Sequence, residues 1–340
     1  MALPSASGPA LQVWEIGEEI LVELYDNKIQ RTINQMTMWK EPEQPYPMRI
    51  NNVVECGGNA IISWIDEELR LSLMAEMDLI TPYETEVEWQ TNVSRTELKQ
   101  PSGIMPHIQK MNEYYGLEGD IRDHTLPIWI HTLDAEVLSM ASHENNFAFV
   151  SMNRGIYYMQ INKESEWAES SFVEEIWRQN IPDWPKPWPN VIWKSQDKIN
   201  GNLNTFTQSI HLDHYHLILF DERGSWVMLS ADNGEELSRG QLAFKGKNTG
   251  TWKGENGWAI LEDNKKLHLF DKQLKLISTH KTPGPVNHAR ESKMGWIWTG
   301  WRHNGSEKGI NSTKEIGLWV DNNENPRVFS NDGNWYDFSY

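Results

Sequence analysis

Hydrophobic positions in this chain come in short runs, each closed by a cluster of Asp, Asn, Gly or Glu. The pattern is clearest in LDHYHLILFDERGSWVMLSADNGEEL, residues 212–237. His216 to Phe220 reads as an apolar strand, Asp221-Glu-Arg-Gly224 as a turn, Ser225 to Leu229 as the return strand, and Asp232-Asn-Gly234 as a second turn. The same grammar follows in 254–278, with Glu262-Asp-Asn264 at its centre, and precedes it in 144–161, turning at Asn153-Arg-Gly155. Residues 56–73 turn at Asp66-Glu-Glu68, and residues 17–33 turn at Asp26-Asn27. Residues 294–320 read as one more hairpin, with a long polar loop.

The central turns fall near residues 26, 66, 154, 222, 263 and 303. Their spacing is about 40 residues or a multiple swollen by insertions, close to the period of a four-stranded propeller blade. The widest gap leaves room for a further blade around 84–134, with TEVEWQT and LPIWIHTLD as strands. The expectation is an all-β, seven-bladed β-propeller spanning 11–340 as one domain, or eight blades if the segment after residue 163 is a worn one. A closing pair between Leu11–Trp14 and the C-terminal NWYDFSY is expected to complete a blade.

Two segments break the strand pattern. Within 102–119, Pro106 and Gly116 are placed to start and stop a helix, with Ile108, Met111 and Tyr115 on one face. Within 164–193, Ser171 and Glu174 have capping-box spacing, and Phe172/Ile176 and Val173/Trp177 lie four apart, which predicts a second helix over 170–180. Prolines 182, 185, 187 and 189 then favour an extended course. This Trp/Pro-rich arm offers Trp177, Trp184, Lys186 and Trp188 as anchors for a protein partner, if the rings do not pack on the propeller instead.

WVMLSADNGEEL resembles the strand, turn and outer strand of the PQQ-like (quinoprotein-type) propeller repeat. The likeness is good over 212–237 and loose elsewhere, and it implies a fold of the PQQ-like or WD40-like superfamily. The chain lacks the regular Trp-docking motifs and vicinal cysteines of quinoprotein dehydrogenases, and the Gly-His and Trp-Asp pairs of WD40 blades do not recur regularly. No bound quinone is expected.

HLDHYH, residues 211–216, is the densest candidate for chemistry. Along a strand His214 and His216 would share a face and His211 would point elsewhere, so the stretch itself supplies two ligands at best. It reads as a turn with solvated histidines, and no metal ligands are assigned. GQLAFKGKN has the wrong glycine spacing and no Ser or Thr for a phosphate loop, and no G-x-S-x-G, HExxH or EF-hand pattern is present. Cys56 has no identifiable base and reads as a structural thiol. No catalytic residue and no cofactor are assigned. Acidic residues at the central turns (Asp66, Glu67, Glu68, Asp221, Glu222, Glu262, Asp263) could form a ring if the turns share one side.

The 340 residues carry a net charge of −17, which disfavours wrapping a nucleic acid backbone. Residues 241–300 run against this with ten Lys and Arg to five Asp and Glu, read as lysines at the turns of a solvated sheet. There is no signal-peptide pattern at the start, no apolar run near bilayer length and a single cysteine. The expectation is a monomeric cytoplasmic protein that binds neither nucleic acid nor membrane. Its expected role is a non-catalytic scaffold for protein–protein interaction, the alternative being a metal-dependent hydrolase or lactonase-type enzyme.

Overall fold

The computed structural model describes residues 3–26, 28–33, 38–40, 49–66, 71–77, 127–133, 135–152, 154–163, 171–182, 184, 207–243, 246–263 and 265–339. They form two compact units, Met1–Ile181 with Leu212–His214 and Pro182–His211 with Tyr215–Tyr340. Among the described residues all regular structure is β, in six sheets of four or five strands, each a simple meander: the sheets of a β-propeller.

The first unit holds three sheets. The first is β1 (Ala10–Ile16), β2 (Glu19–Leu24), β3 (Ile29–Ile33) and β4 (Met38–Lys40). The second is β5 (Arg49–Cys56), β6 (Asn59–Asp66), β7 (Leu71–Met77) and β8 (Pro127–Leu133). The third is β9 (Val137–His143), β10 (Asn146–Ser151), β11 (Gly155–Lys163) and β12 (Ser171–Gln179). In chain order the fourth is β13 (Thr207–Leu212), β14 (His216–Asp221), β15 (Ser225–Ser230) and β16 (Glu236–Gln241). The fifth is β17 (Asn248–Lys253), β18 (Gly257–Glu262), β19 (Lys266–Asp271) and β20 (Leu276–Lys281). The sixth is β21 (Val286–Ser292), β22 (Gly295–Ser306), β23 (Gly309–Val320), β24 (Arg327–Ser330) and β25 (Trp335–Asp337).

Second strands carry the core. EILVEL, NFAFVS, HLILFD and GWAILE are buried on both faces, which is why they read as continuous rather than alternating apolar runs. Fourth strands are their opposite: ELSRGQ and LISTHK are exposed along most of their length. Within the first unit, Trp64 of β6 packs with Ile16, Leu21 and Ile29 of the preceding sheet. Phe147 and Phe149 of β10 meet Cys56, Ile61 and Met74 of β5–β7. The second unit repeats the device, with Trp258 on Ile218 and Phe220, and Trp296 and Trp298 on Leu261, Leu267 and Leu269. Each large ring seals one sheet against its predecessor.

Aspartates close the turns. Asp221 Oδ1 accepts the amides of Arg223 (2.9 Å) and Ser225 (2.6 Å). Asp271 Oδ1 does the same for Gln273 (3.0 Å) and Lys275 (2.9 Å), and Asp321 Oδ1 for Arg327 (2.8 Å). A short carboxylate at a strand end thus mimics a backbone acceptor and fixes the reversal. The Asn-Gly turn expected after β15 forms, with Gly234 at φ 74° and its amide donating to the Ser230 carbonyl.

Four expectations are corrected. Among the described residues six sheets are present, not seven: LPIWIHTLD supplies β8, which pairs with β7 as the last strand of the second sheet. The wide turn spacing therefore falls between β7 and β8, which pair within one sheet, and the strand read at TEVEWQT lies outside the described residues. The helix read over 170–180 is β12 of the 164–193 segment, paired along β11. A bulge leaves Ile176 without a partner between Glu175 and Trp177, so the simple alternation of a strand is broken there. The 102–119 insertion lies outside the described residues.

The polar loop expected in 294–320 is two long strands joined at Glu307-Lys308. They bend at Trp301–His303, where Arg302 has φ 56° and the register shifts, so β24 and β25 continue from the far half of β23. Finally, β1 pairs with β2 and β25 with β24, so the expected terminal pair is not a ladder among the described residues.

The C-terminal strand is held by its ladder to β24 and by its rings. Trp335 lies edge-on to Trp319 at 5.9 Å and against Phe329 at 5.1 Å. The Tyr336 hydroxyl donates to Asp332 (2.6 Å), a bond that pushes the phenol up to about 12. Deleting residues 334–340 uncovers Trp319 and Phe329, and thermal denaturation is expected to show a midpoint several degrees lower (roughly 1–3 kcal/mol). An unchanged midpoint would show that the last strand is dispensable. Gly257 gives a sharper test of packing, because a Cβ there would run into the Phe270 carbonyl while one on Gly309 meets open space. Gly257→Ala is expected to lose about 1–3 kcal/mol in urea denaturation and Gly309→Ala well under 1 kcal/mol.

Candidate functional site

The three histidines of 211–216 have three different fates. His211 ends up half-buried in the second unit, its ring edge-on to Trp258 at 5.0 Å and Phe220 at 6.1 Å. Its Nε2 is 2.7 Å from the Thr251 hydroxyl, which also bonds Ser209. Loss of hydration, helped by the charge of Lys253, holds this imidazole down at about 3, so it is neutral in the folded protein. His216 is half-buried beside Tyr215. His214 sits exposed in the turn before β14 and, like the rest of Leu212–His214, belongs to the first unit.

There His214 meets His143, the last residue of β9, and Glu144 of the turn that follows. Donor atoms of the three side chains all lie within 4.8 Å of one another. The two imidazoles are 6.1 Å apart between centroids and steeply inclined at 74°. His143 Nε2 is 3.9 Å from Glu144 Oε1. Glu144 is one of few non-glycine residues at positive φ (53°), and its carbonyl accepts the amide of Gly57 (2.8 Å). His143 and Glu144 were absent from the sequence-based candidates because nothing local connects them to residue 214.

Two of the four expected partner anchors are described. Trp177 is half-buried on β12, stacked on Tyr158 at 5.1 Å and 8°. The bulge at Ile176 turns it to that face, and Ile176 itself is 41% exposed. Trp184 is half-buried, and its Nε1 is shielded from water with no acceptor among the described residues. Lys186 and Trp188 lie outside the described residues.

The acidic turns are largely consumed by structure. Asp221 is buried and occupied by the two amides already named. Glu262, also buried, accepts the amide of Gly246 and lies 2.8 Å from His268 Nε2, whose Nδ1 is 2.9 Å from Thr279 Oγ1. This carboxyl–imidazole–hydroxyl relay ties β18 through β19 to the outer strand β20, and alternation alone did not mark it. Glu222 pairs loosely with Lys247 (3.5 Å). Asp66, Glu67 and Glu68 have no described side chains. Cys56 is buried among Ile61, Phe147 and Phe149 and is in no disulfide. The lysines of 241–300 that are described stand largely at turns and on exposed strands, as expected. No helix among the described residues is long and apolar enough to cross a membrane.

No family model and no curated protein sequence matches the chain. Solved structures match it in fold. The WD40 propeller of Doa1 is 9% identical over 100% of this chain and 95% of that one, with a TM-score of 0.55. BamB from Moraxella catarrhalis is 8% identical over 99% of this chain and 100% of that one, at 0.51. BBS1N, solved in complex with ARL6DN, is 10% identical over 99% and 92%, also at 0.51. The resemblance to WD40-like and PQQ-like propellers therefore holds, as a likeness of fold.

The neutral His211 makes stability depend on pH. The unfolded chain takes up a proton near 6.5 and the folded one only near 3, so the contribution is complete above about 6.5 and lost as pH falls towards 3. His280 and His303, both lowered chiefly by burial, act in the same direction. Melting temperature is expected to fall more steeply between pH 6.5 and 4 in the wild-type chain than in His211→Gln. Parallel curves would mean that His211 is protonated equally in both states.

Proposed function

We propose that this propeller is a non-catalytic scaffold that binds a protein partner through the outer edge of its third sheet and the Trp/Pro arm that follows. The observation carrying this reading is β12. It is the edge of its sheet, so one row of its backbone N–H and C=O groups faces away from β11. An apolar side chain, Ile176, stands 41% exposed at its bulge beside the Trp177–Tyr158 stack. An extended peptide adding to that edge would gain main-chain hydrogen bonds and an apolar seat together. Downstream, Trp184, Lys186 and Trp188 between prolines give an arm with little conformational entropy to lose.

That BBS1N was solved with ARL6DN supports the idea that such a fold can carry a protein-binding surface. The enzyme alternative needs two or more of Asp213, His214 and His216 to meet acidic side chains at one point. Of these, His214 meets Glu144 in the grouped donors, which falls short of that requirement. The buried carboxyls Asp221 and Glu262 are engaged by neighbouring amides, which also favours the scaffold.

Photo-crosslinking in cells tests this directly. A benzophenone amino acid at position 176 is expected to give a discrete protein adduct that Trp177→Ala reduces at least tenfold at a temperature where circular dichroism shows the variant still folded. The same reporter at Leu237, exposed on the outer strand of another sheet, should not give that adduct. Equal labelling from both positions would remove the edge of β12 from consideration.

A further inference from the structure

We propose that His143, Glu144 and His214 form a binding site for one zinc(II) ion, with a fourth position left to solvent. Two imidazoles and one carboxylate are a donor set for a borderline divalent transition ion. Calcium and magnesium, which take oxygen ligands, fit it poorly.

Geometry supports the assignment. Around a tetrahedral zinc with ligand bonds of about 2.0–2.2 Å, donor atoms stand roughly 3.3–3.5 Å apart. Here all three lie within 4.8 Å, and the His143–Glu144 pair is at 3.9 Å. Small side-chain rotations close the remainder, and they cost little at the exposed Glu144 and His214, while the half-buried His143 at the end of β9 stays nearly fixed. The backbone beneath is already set. The Gly57 amide holds the Glu144 carbonyl, and Glu144 keeps a left-handed conformation that its side chain does not favour. The steep inclination of the two rings lets both nitrogens aim at a common point without the rings stacking.

The donors come from turns about seventy residues apart in sequence. A bound ion would therefore cross-link the β9–β10 hairpin to the turn that precedes β14. An ion that binds the folded chain and not the unfolded one raises stability by mass action. With Glu144 and His214 exposed, the open position faces solvent, so exchange with small anionic or nitrogenous ligands is expected.

The test uses the full, tag-free chain, stripped with chelator and dialysed. Titration with zinc chloride is expected to show one ion bound per chain and a rise in melting temperature of several degrees. Cobalt(II) in its place should give the intense visible bands of a tetrahedral nitrogen and oxygen site. His214→Ala, at an exposed position where folding is not at risk, should weaken binding at least tenfold and abolish both the thermal shift and the cobalt spectrum. His143→Ala should do the same, and Glu144→Gln should weaken binding by a smaller factor. Absence of stoichiometric binding overturns the proposal. So does binding that His214→Ala leaves unchanged, since the ion would then sit elsewhere.

Discussion

Face-to-face packing through the second strand of each sheet is the constraint on which this structure rests. A second strand such as GWAILE, buried along its whole length, has no face left for water. It can exist only if another sheet covers each side. Aromatic rings do the covering: Trp64, Phe147, Trp258 and Trp298 each seal a sheet onto the one before it. Several of the tryptophans, Trp64, Trp258, Trp296 and Trp298 among them, meet this demand for wide, flat side chains between sheets.

Turn chemistry follows from the same demand. Sheets that must stack need hairpins of fixed register, and Asp221, Asp271 and Asp321 supply it by accepting successive backbone amides. What is left for function lies where the packing demand stops, at outer strands such as β12 and at turns such as His143-Glu144. That division between a committed interior and a free periphery motivates both the partner-binding edge and the zinc site.

Much of this was legible in the sequence because hairpins are local. Asn233-Gly234 and Asp221 to Gly224 announce their turns within a few residues, and the apolar runs between them announce the strands. The place of β8 was not legible, because it pairs with β7 from about fifty residues away and turn spacing does not report which strands pair. The strand over 171–179 was hidden by its own irregularity. With Ile176 bulged out, Val173 and Trp177 keep a helix-like interval while pairing as a strand. The histidine cluster was half visible: HLDHYH marked His214, but its companions at 143 and 144 meet it through tertiary folding. The Glu262–His268–Thr279 relay was missed for the opposite reason, since its members sit in strands where polar residues read as solvent-facing.

Amide hydrogen exchange resolved by strand would test the division between interior and edge most directly. The account predicts that β2, β6, β10, β14 and β18 exchange only through global unfolding, at the slowest common rate in the chain. The outer strands β12, β16 and β20 should open locally and exchange orders of magnitude faster. If β12, β16 and β20 proved as protected as β14 and β18, the edges would be part of the core, and the case for a partner surface there would fall with them.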